Sequence, residues 1–348
     1  MQYLGRINAS PNIKKVKKES AMKIALSLKK HQREHKNALK HIRYKVHIRR
    51  WGSMRLYRII SLETFIDLLH NKRERYVRPA TWEDTFEGYL YSKLYDAEER
   101  KKIVRDIYYN VCPGNYKATI DNVLKLEHAK WFVYGQSWSS VSESDAMWRI
   151  YSFNRHSIQI QTTDTRICNI LDGIEDIKYE IKSMKYDVAP QDDLMHMQVG
   201  QLKDTLSVYE PFLHKRKAFK HEAERRVLID DTRWYHMLSM NIMGANWKIF
   251  ETMQGLEDDE ILEEIDQRLS QYVGHVNADK IPDNYYVDIN NLPKYILGVK
   301  VNPFAEKWYV DLIENLCAEY DLKFLGNPNC IKVEVSTDIL IMLLNLLF

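Results

Sequence analysis

The stretch Phe219-Lys220-His221-Glu222-Ala223-Glu224-Arg225-Arg226-Val227-Leu228-Ile229 sets two carboxylates one residue apart, follows them with two arginines and runs into an apolar triplet. In an extended chain the side chains repeat every second residue, so Glu222, Glu224 and Arg226 fall on one face. On a helix the two acids would stand about 200° apart and would not share a substrate. Val227 and Ile229 are β-branched, which favours the strand. An isolated Glu-x-Glu is ordinary surface chemistry. Its interest depends on what the rest of the chain carries.

The chain has 348 residues, 45% of them hydrophobic, enough for a substantial core in one large or two modest domains. The formal net charge of +3 conceals an asymmetry. Residues 1–50 hold 15 Lys and Arg against 2 Glu, whereas the other 298 residues hold 36 Lys and Arg against 46 Asp and Glu. A basic arm of net +13 therefore precedes an acidic body of net −10. Cys112, Cys168, Cys317 and Cys330 are scattered, with no Cys-x-x-Cys and no zinc-like Cys/His spacing, so a reduced cytoplasmic setting without structural zinc is expected. No secretory leader pattern opens the chain. The apolar run Ile339–Phe348 is ten residues long, about half of what a membrane-spanning helix needs. It reads as an element docked on the core or as a sticky end for a partner.

Three regions follow: a basic helical arm over 1–50, an α+β domain over 54–336 and an apolar tail over 337–348. The arm has no Pro or Gly between Lys14 and Lys40. Its Lys14, Lys15, Lys17, Lys18, Lys29, Lys30 and Arg33 suit phosphate neutralisation, which makes nucleic acid a candidate partner. In the domain, Leu56–Ile60 reads as a strand with Arg58 toward a cleft and Tyr57 and Ile59 toward the core. Ser61 caps a helix over Leu62–His70, and Tyr76–Pro79 is a short strand. A helix is expected over Tyr89–Tyr109, and another up to about Lys130. Trp131–Ser139 reads as a central strand in which Gly135 admits a close approach. A helix opens near Ser142 or Ser144, and strands follow over Ser157–Thr162 and Asp176–Met184. Residues 190–218 and Gly255–Gln271 read as helical. Tyr295–Val301 and Ile331–Val335 read as strands flanking a helix over Glu306–Tyr320.

Arg58 on an early strand, Ser137-Trp138-Ser139 on a middle strand and Glu222-Ala223-Glu224 at a later one occur in the order that resembles the Arg-Ser-Glu class of the ADP-ribosyltransferase superfamily. Trp138 departs from the Ser-Thr-Ser form of that class. A wider pattern resembles a bacterial domain family of unknown function over roughly residues 54–336. It comprises Leu56-Tyr57-Arg58, Trp82-x-Asp84-x-Phe86-Glu87, Ser137-x-Ser139, Ala146-Met147-Trp148, Glu222-x-Glu224-x-Arg226 and Asn302-Pro303-Phe304-Ala305. Proteins of that general kind occur among toxin and anti-phage genes.

The resemblance implies an ADP-ribosyltransferase-like split mixed β-sheet with flanking helices. It also implies NAD as co-substrate, no metal, and a toxin or phage-defence role with an inhibitory antitoxin partner. Glu224 would stabilise the positive charge that develops on ribose as nicotinamide leaves, and Glu222 would orient or deprotonate the acceptor. Arg58 would grip the NAD phosphates, Ser137 or Ser139 would hydrogen-bond within the nicotinamide pocket, Trp138 or Trp148 would stack on the nicotinamide ring, and Tyr57 would complete the pocket. The first acid of the E-x-E pattern suits an arginine acceptor in the resembled class, whereas the basic arm points to RNA, DNA or a nucleic-acid-bound protein as acceptor. Two other readings compete: a nuclease holding a divalent metal on Asp84, Glu87, Glu222 and Glu224, and a non-enzymatic binding module. The Gly-x-Gly-x-x-Gly turn, the Walker A loop and His-Glu-x-x-His are missing from the sequence.

Overall fold

The computed structural model describes residues 53–82, 84, 87–142, 144–152, 154–186, 207–233, 255–271, 273 and 281–327. The basic arm with Lys14, Lys15, Lys17, Lys18, Lys29, Lys30 and Arg33, residues 190–206, the strand expected over Ile331–Val335 and the apolar tail lie outside the described residues.

Strand β3 (Val133–Ser139) is the hub of the sheet. One edge pairs along its whole length with β6 (Glu224–Asp231), from Val133 opposite Asp230 to Ser139 opposite Glu224. The other edge is shared. Tyr57 of β1 (Arg55–Ser61) stands opposite Ser139, and Val77 of β2 (Arg73–Val77) stands opposite Gly135. From this fork one wing continues through β4 (Ser157–Thr163) to β8 (Gly298–Val301), and the other ends on β7 (Asn284–Asp288). Beyond β6 lies β5 (Ile177–Ser183).

The class is α+β, as expected. The sheet is not mixed: every ladder among the described strands is antiparallel, and parallel pairing is confined to the isolated bridges Lys185–His214 and Val299–Phe324.

Alternation along the strands sorts the residues onto two faces. Leu56, Ile60, Tyr134, Trp138, Ile158, Ile160, Val227 and Ile229 join one core. It is closed by helices α1 (Leu62–Asn71), α6 (Asp164–Leu171), α8 (Leu292–Tyr295) and α9 (Lys307–Glu319). Val133 and Leu228 point the other way, into a second core with α2 (Tyr89–Lys93), α3 (Ala97–Asp106), α4 (Tyr116–Phe132) and α7 (Asp258–Leu269). That second face is bare of these helices toward Ser137 and Ser139, where a short helix, α5 (Asp145–Tyr151), lies instead. No described helix is long and apolar enough to cross a membrane.

Several boundaries differ from the sequence reading. The helix expected over Tyr89–Tyr109 breaks into α2, α3 and a π-helical turn over Ile107–Val111, because Asp96 caps a new start by accepting from the Glu99 N–H. Trp131 and Phe132 belong to the end of α4, so β3 begins only at Val133. Tyr295 ends α8, leaving Gly298 as the first residue of β8. Glu222 is not in a strand. It closes a 3₁₀ turn over Lys217–Glu222, and Ala223 then takes a left-handed conformation (φ 43°) before β6 starts at Glu224. A β-carbon is disfavoured in that region, so the reversal is held against a local cost of about 1–2 kcal/mol.

Candidate active site

The uncovered part of the second face forms an open cleft of about 580 Å³, including its mouth. Tyr57 and Ile59 of β1, Ser137 and Ser139 of β3, Gln159 of β4 and Glu224 of β6 form its floor, in agreement with their registers. Ser144, Met147 and Tyr151 close one side, and Lys215 and Glu222 the other. Three segments expected to meet from the sequence therefore do meet: the early strand, the Ser-x-Ser strand and the Glu-x-Glu element.

The acids are arranged around two cations. Lys215 Nζ lies 2.7 Å from Glu222 Oε2, 3.1 Å from Glu224 Oε2 and 3.7 Å from Glu87 Oε1. The Arg226 guanidinium reaches Glu224 Oε1 at 2.7 Å and Glu87 Oε2 at 3.0 Å, and donates to the Phe212 carbonyl at 2.6 Å. Tyr151 donates its phenol to Glu222 Oε1 at 2.8 Å, and the Glu224 N–H donates to Tyr186 Oη at 2.7 Å. Glu222, Glu224 and Arg226 are all buried. Burial pushes Glu224 up, but Arg226, Lys215 and a hydrogen bond from Ser137 more than offset it, and its carboxyl stays below the ordinary range. At Glu87 burial wins over Arg226, and that carboxyl is raised. Burial opposes the charge on Lys215, yet Glu224 and Glu222 raise it above an ordinary lysine.

The two serines divide. Ser137 is exposed on the cleft floor beside Glu224. Ser139 is buried, donating to the Glu222 carbonyl at 2.8 Å and accepting from the Val141 N–H at 3.0 Å, so its hydroxyl is spent on holding the turn that carries Glu222.

Two expected cofactor ligands are engaged by the protein itself. Arg58 stands beside Trp138 in the register, on the face opposite Ser137, and Tyr57 and Ile59 take the cleft side that had been expected for Arg58. The Arg58 guanidinium lies over the Trp138 ring at 4.8 Å and donates to Glu74 Oε2 at 2.6 Å. It borders the cleft, but its charge is committed to a buried acid on β2. Trp148 is a core residue, 2% exposed, on the buried side of α5, whereas Tyr151, one turn on, meets the cleft.

Gly135 does admit a close approach, and the occupant is Trp82. A β-carbon there would stand 2.5 Å from Trp82 Cζ2, and the Arg226 guanidinium lies over the same ring at 4.3 Å. Gly135→Ala is expected to destabilise the fold by about 1–3 kcal/mol, the scale of overpacking a filled site. A lowered denaturant midpoint with an unchanged slope is the measurement.

Sequence reasoning missed Lys215 and Tyr186 and used Arg226 only as a neighbour. Lys215 falls within the stretch 190–218 that reads as helical, but the structure places it between the 3₁₀ turns Glu210–Leu213 and Lys217–Glu222, and no spacing rule ties it to residues seven and nine positions on. Glu87 had a signal, since Trp82-x-Asp84-x-Phe86-Glu87 carried part of the wider pattern. The chain matches no protein family, no curated protein and no solved structure.

Proposed function

We propose that this cleft binds NAD and that the protein transfers ADP-ribose from it to an acceptor. The observation that carries the reading is Glu224. It is a buried carboxylate kept charged by Lys215 and Arg226, next to an exposed serine on the neighbouring strand, at the floor of an open cleft. The bond from ribose C1′ to the nicotinamide ring nitrogen breaks with its electron pair passing to that nitrogen, which releases neutral nicotinamide. A fixed anion beside the sugar stabilises the resulting positive charge more than it stabilises the ground state. Glu224 supplies that anion. The acceptor's nucleophilic atom then bonds to C1′, and its proton passes to Glu222, whose Oε1 is oriented by Tyr151. Different surroundings give the two acids different roles: Glu224 touches two cations, while Glu222 shares one cation and a phenol. Ser137 contributes a hydroxyl to the nicotinamide pocket, and Tyr57 an aromatic wall.

The phosphate grip assigned to Arg58 is dropped from this reading, because its guanidinium is occupied by Glu74. The acceptor we favour is nucleic acid or a protein bound to it, on the strength of the +13 arm, within a toxin or anti-phage role that needs an inhibitory partner. The nuclease reading has less support. Glu87, Glu222 and Glu224 already converge on Lys215 and Arg226, and Asp84 pairs with Arg216, so a divalent metal would have to displace internal cations.

The test is incubation of the purified protein with NAD labelled in its adenylate and a cell lysate, with nucleic acid and protein separated afterwards. Label in either fraction, together with released nicotinamide, is the expected result and names the acceptor class. Nicotinamide without transferred label would make the protein a hydrolase. Chelator-sensitive cleavage of nucleic acid without nicotinamide release would replace the reading with the nuclease.

A further inference from the structure

Two carboxylates that share one small space do not both stay ionised unless something compensates their repulsion; a like-charged pair ordinarily splits, with one member holding a proton near neutral pH. Glu222 and Glu224 are such a pair. Both are buried, and both have an oxygen on the same atom, Lys215 Nζ. Glu87, a third acid, faces them from the segment after β2. The charged and titratable groups around the pair are Glu87, Arg226 on β6, Tyr151 on α5, Tyr186 after β5 and Lys215 itself. Arg226 pairs with Glu224 and Glu87, whereas Lys215 pairs with Glu222 and Glu224. Among the described residues, Lys215 is therefore the cation that Glu222 and Glu224 have in common.

We propose that Lys215 is a positioning residue of the site, whose ammonium bridges Glu222 and Glu224 and lets both stand as anions facing one cleft. The inference holds for whatever reaction these acids carry, so it goes beyond the NAD reading. The local fold is built around the bridge. Ser139 holds the Glu222 carbonyl, Ala223 reverses the chain in a left-handed conformation, and the Lys215 N–H donates to the Lys185 carbonyl at 3.0 Å, fixing the root of the lysine on the sheet's edge. With the bridge intact the cluster of Glu87, Glu222, Glu224, Lys215 and Arg226 carries one net negative charge, which suits a ligand that becomes positive during reaction. Without the lysine it carries two, and the cheapest relief is to protonate a carboxylate.

The experiment compares wild type, Lys215→Met, Lys215→Arg and the double variant Lys215→Met/Glu222→Gln. The readouts are carboxyl titration followed by carbon NMR on glutamate-labelled protein and, where turnover is found, the pH dependence of kcat. In Lys215→Met one site carboxyl is expected to titrate at least one pH unit higher than in wild type, moving the acid limb of the rate profile upward by the same amount. Lys215→Arg keeps the wild-type titration. The double variant removes one charge of each sign and returns Glu224 to its wild-type behaviour. An unchanged carboxyl titration in Lys215→Met overturns the proposal. If that single variant does not fold, folding of the double variant supports charge compensation, and failure of both overturns it by showing that the lysine stem is what the site requires. A wild-type protein inert toward NAD sinks the transferase reading and leaves the titration test standing.

Discussion

Replacing Arg58 with methionine is expected to lower folding stability by about 3–5 kcal/mol, the scale of stripping one partner from a buried ion pair. The cause is Glu74, which is 2% exposed on β2 and receives Arg58 Nη2 at 2.6 Å and Gln136 Nε2 at 2.9 Å on the same oxygen. Trp138 Nε1 in turn donates to Gln136 Oε1, so the arginine anchors a chain of buried polar contacts across the fork of the sheet. Burial works against the guanidinium charge, and Glu74 more than restores it. Methionine keeps the length of the side chain but leaves a buried carboxylate with one neutral donor. Chemical denaturation of Arg58→Met should show the loss, and the double variant Arg58→Met/Glu74→Leu should recover most of it, because a buried pair exchanged for apolar groups of similar volume is often neutral or better. Loss of activity in Arg58→Met at unchanged stability would instead mean that the guanidinium reaches substrate, and would return Arg58 to the phosphate grip.

That reversal shows where the sequence was legible and where it was not. Alternation separates Arg58 from Tyr57, but period two alone does not say which face floors the cleft, because Tyr57 and Ile59 line it while Arg58 borders it from the other face of the strand. Both faces of this sheet are partly packed: Leu56 and Ile60 fill one core while Tyr57 and Ile59 floor a cleft on the other side. Strand periodicity puts Glu222 and Glu224 together for a reason only half right. They share a site because Ala223 turns the chain and Lys215 bridges them, although Glu222 precedes the strand. The helix break at Asp96 and the end of α4 at Phe132 depend on caps and tertiary packing that propensity does not weigh. The shared edge of β3 joins residues 57, 77 and 135–139 across long sequence separations, and no local pattern encodes such a pairing.

Glu224→Gln should separate the chemistry from the fold. The amide is close in shape to the carboxylate, and the change leaves Glu87 and Glu222 to balance Lys215 and Arg226, so no charge in the cluster is stranded. Stability at neutral pH is expected to fall by only about 1–3 kcal/mol, the usual worth of hydrogen bonds to charged groups. On the proposed transferase reading, nicotinamide release should fall much further, by about a hundred- to a thousandfold, the scale of removing one preorganised electrostatic contact from a transition state. The acid dependence of stability gives a second readout with a definite sign. The Glu224 carboxyl sits below its ordinary value of 4.5 in the folded chain, so the folded state binds fewer protons there than the unfolded chain does. Its contribution to stability is complete above the unfolded value and drains away as pH falls through the folded one. Wild type should therefore lose more stability than Glu224→Gln on going from neutral pH to below about pH 4, and the two denaturation midpoints should converge. Equal acid sensitivity would mean that Lys215 and Arg226 do not hold Glu224 as an anion, and would remove the electrostatic basis for the catalytic role proposed for it.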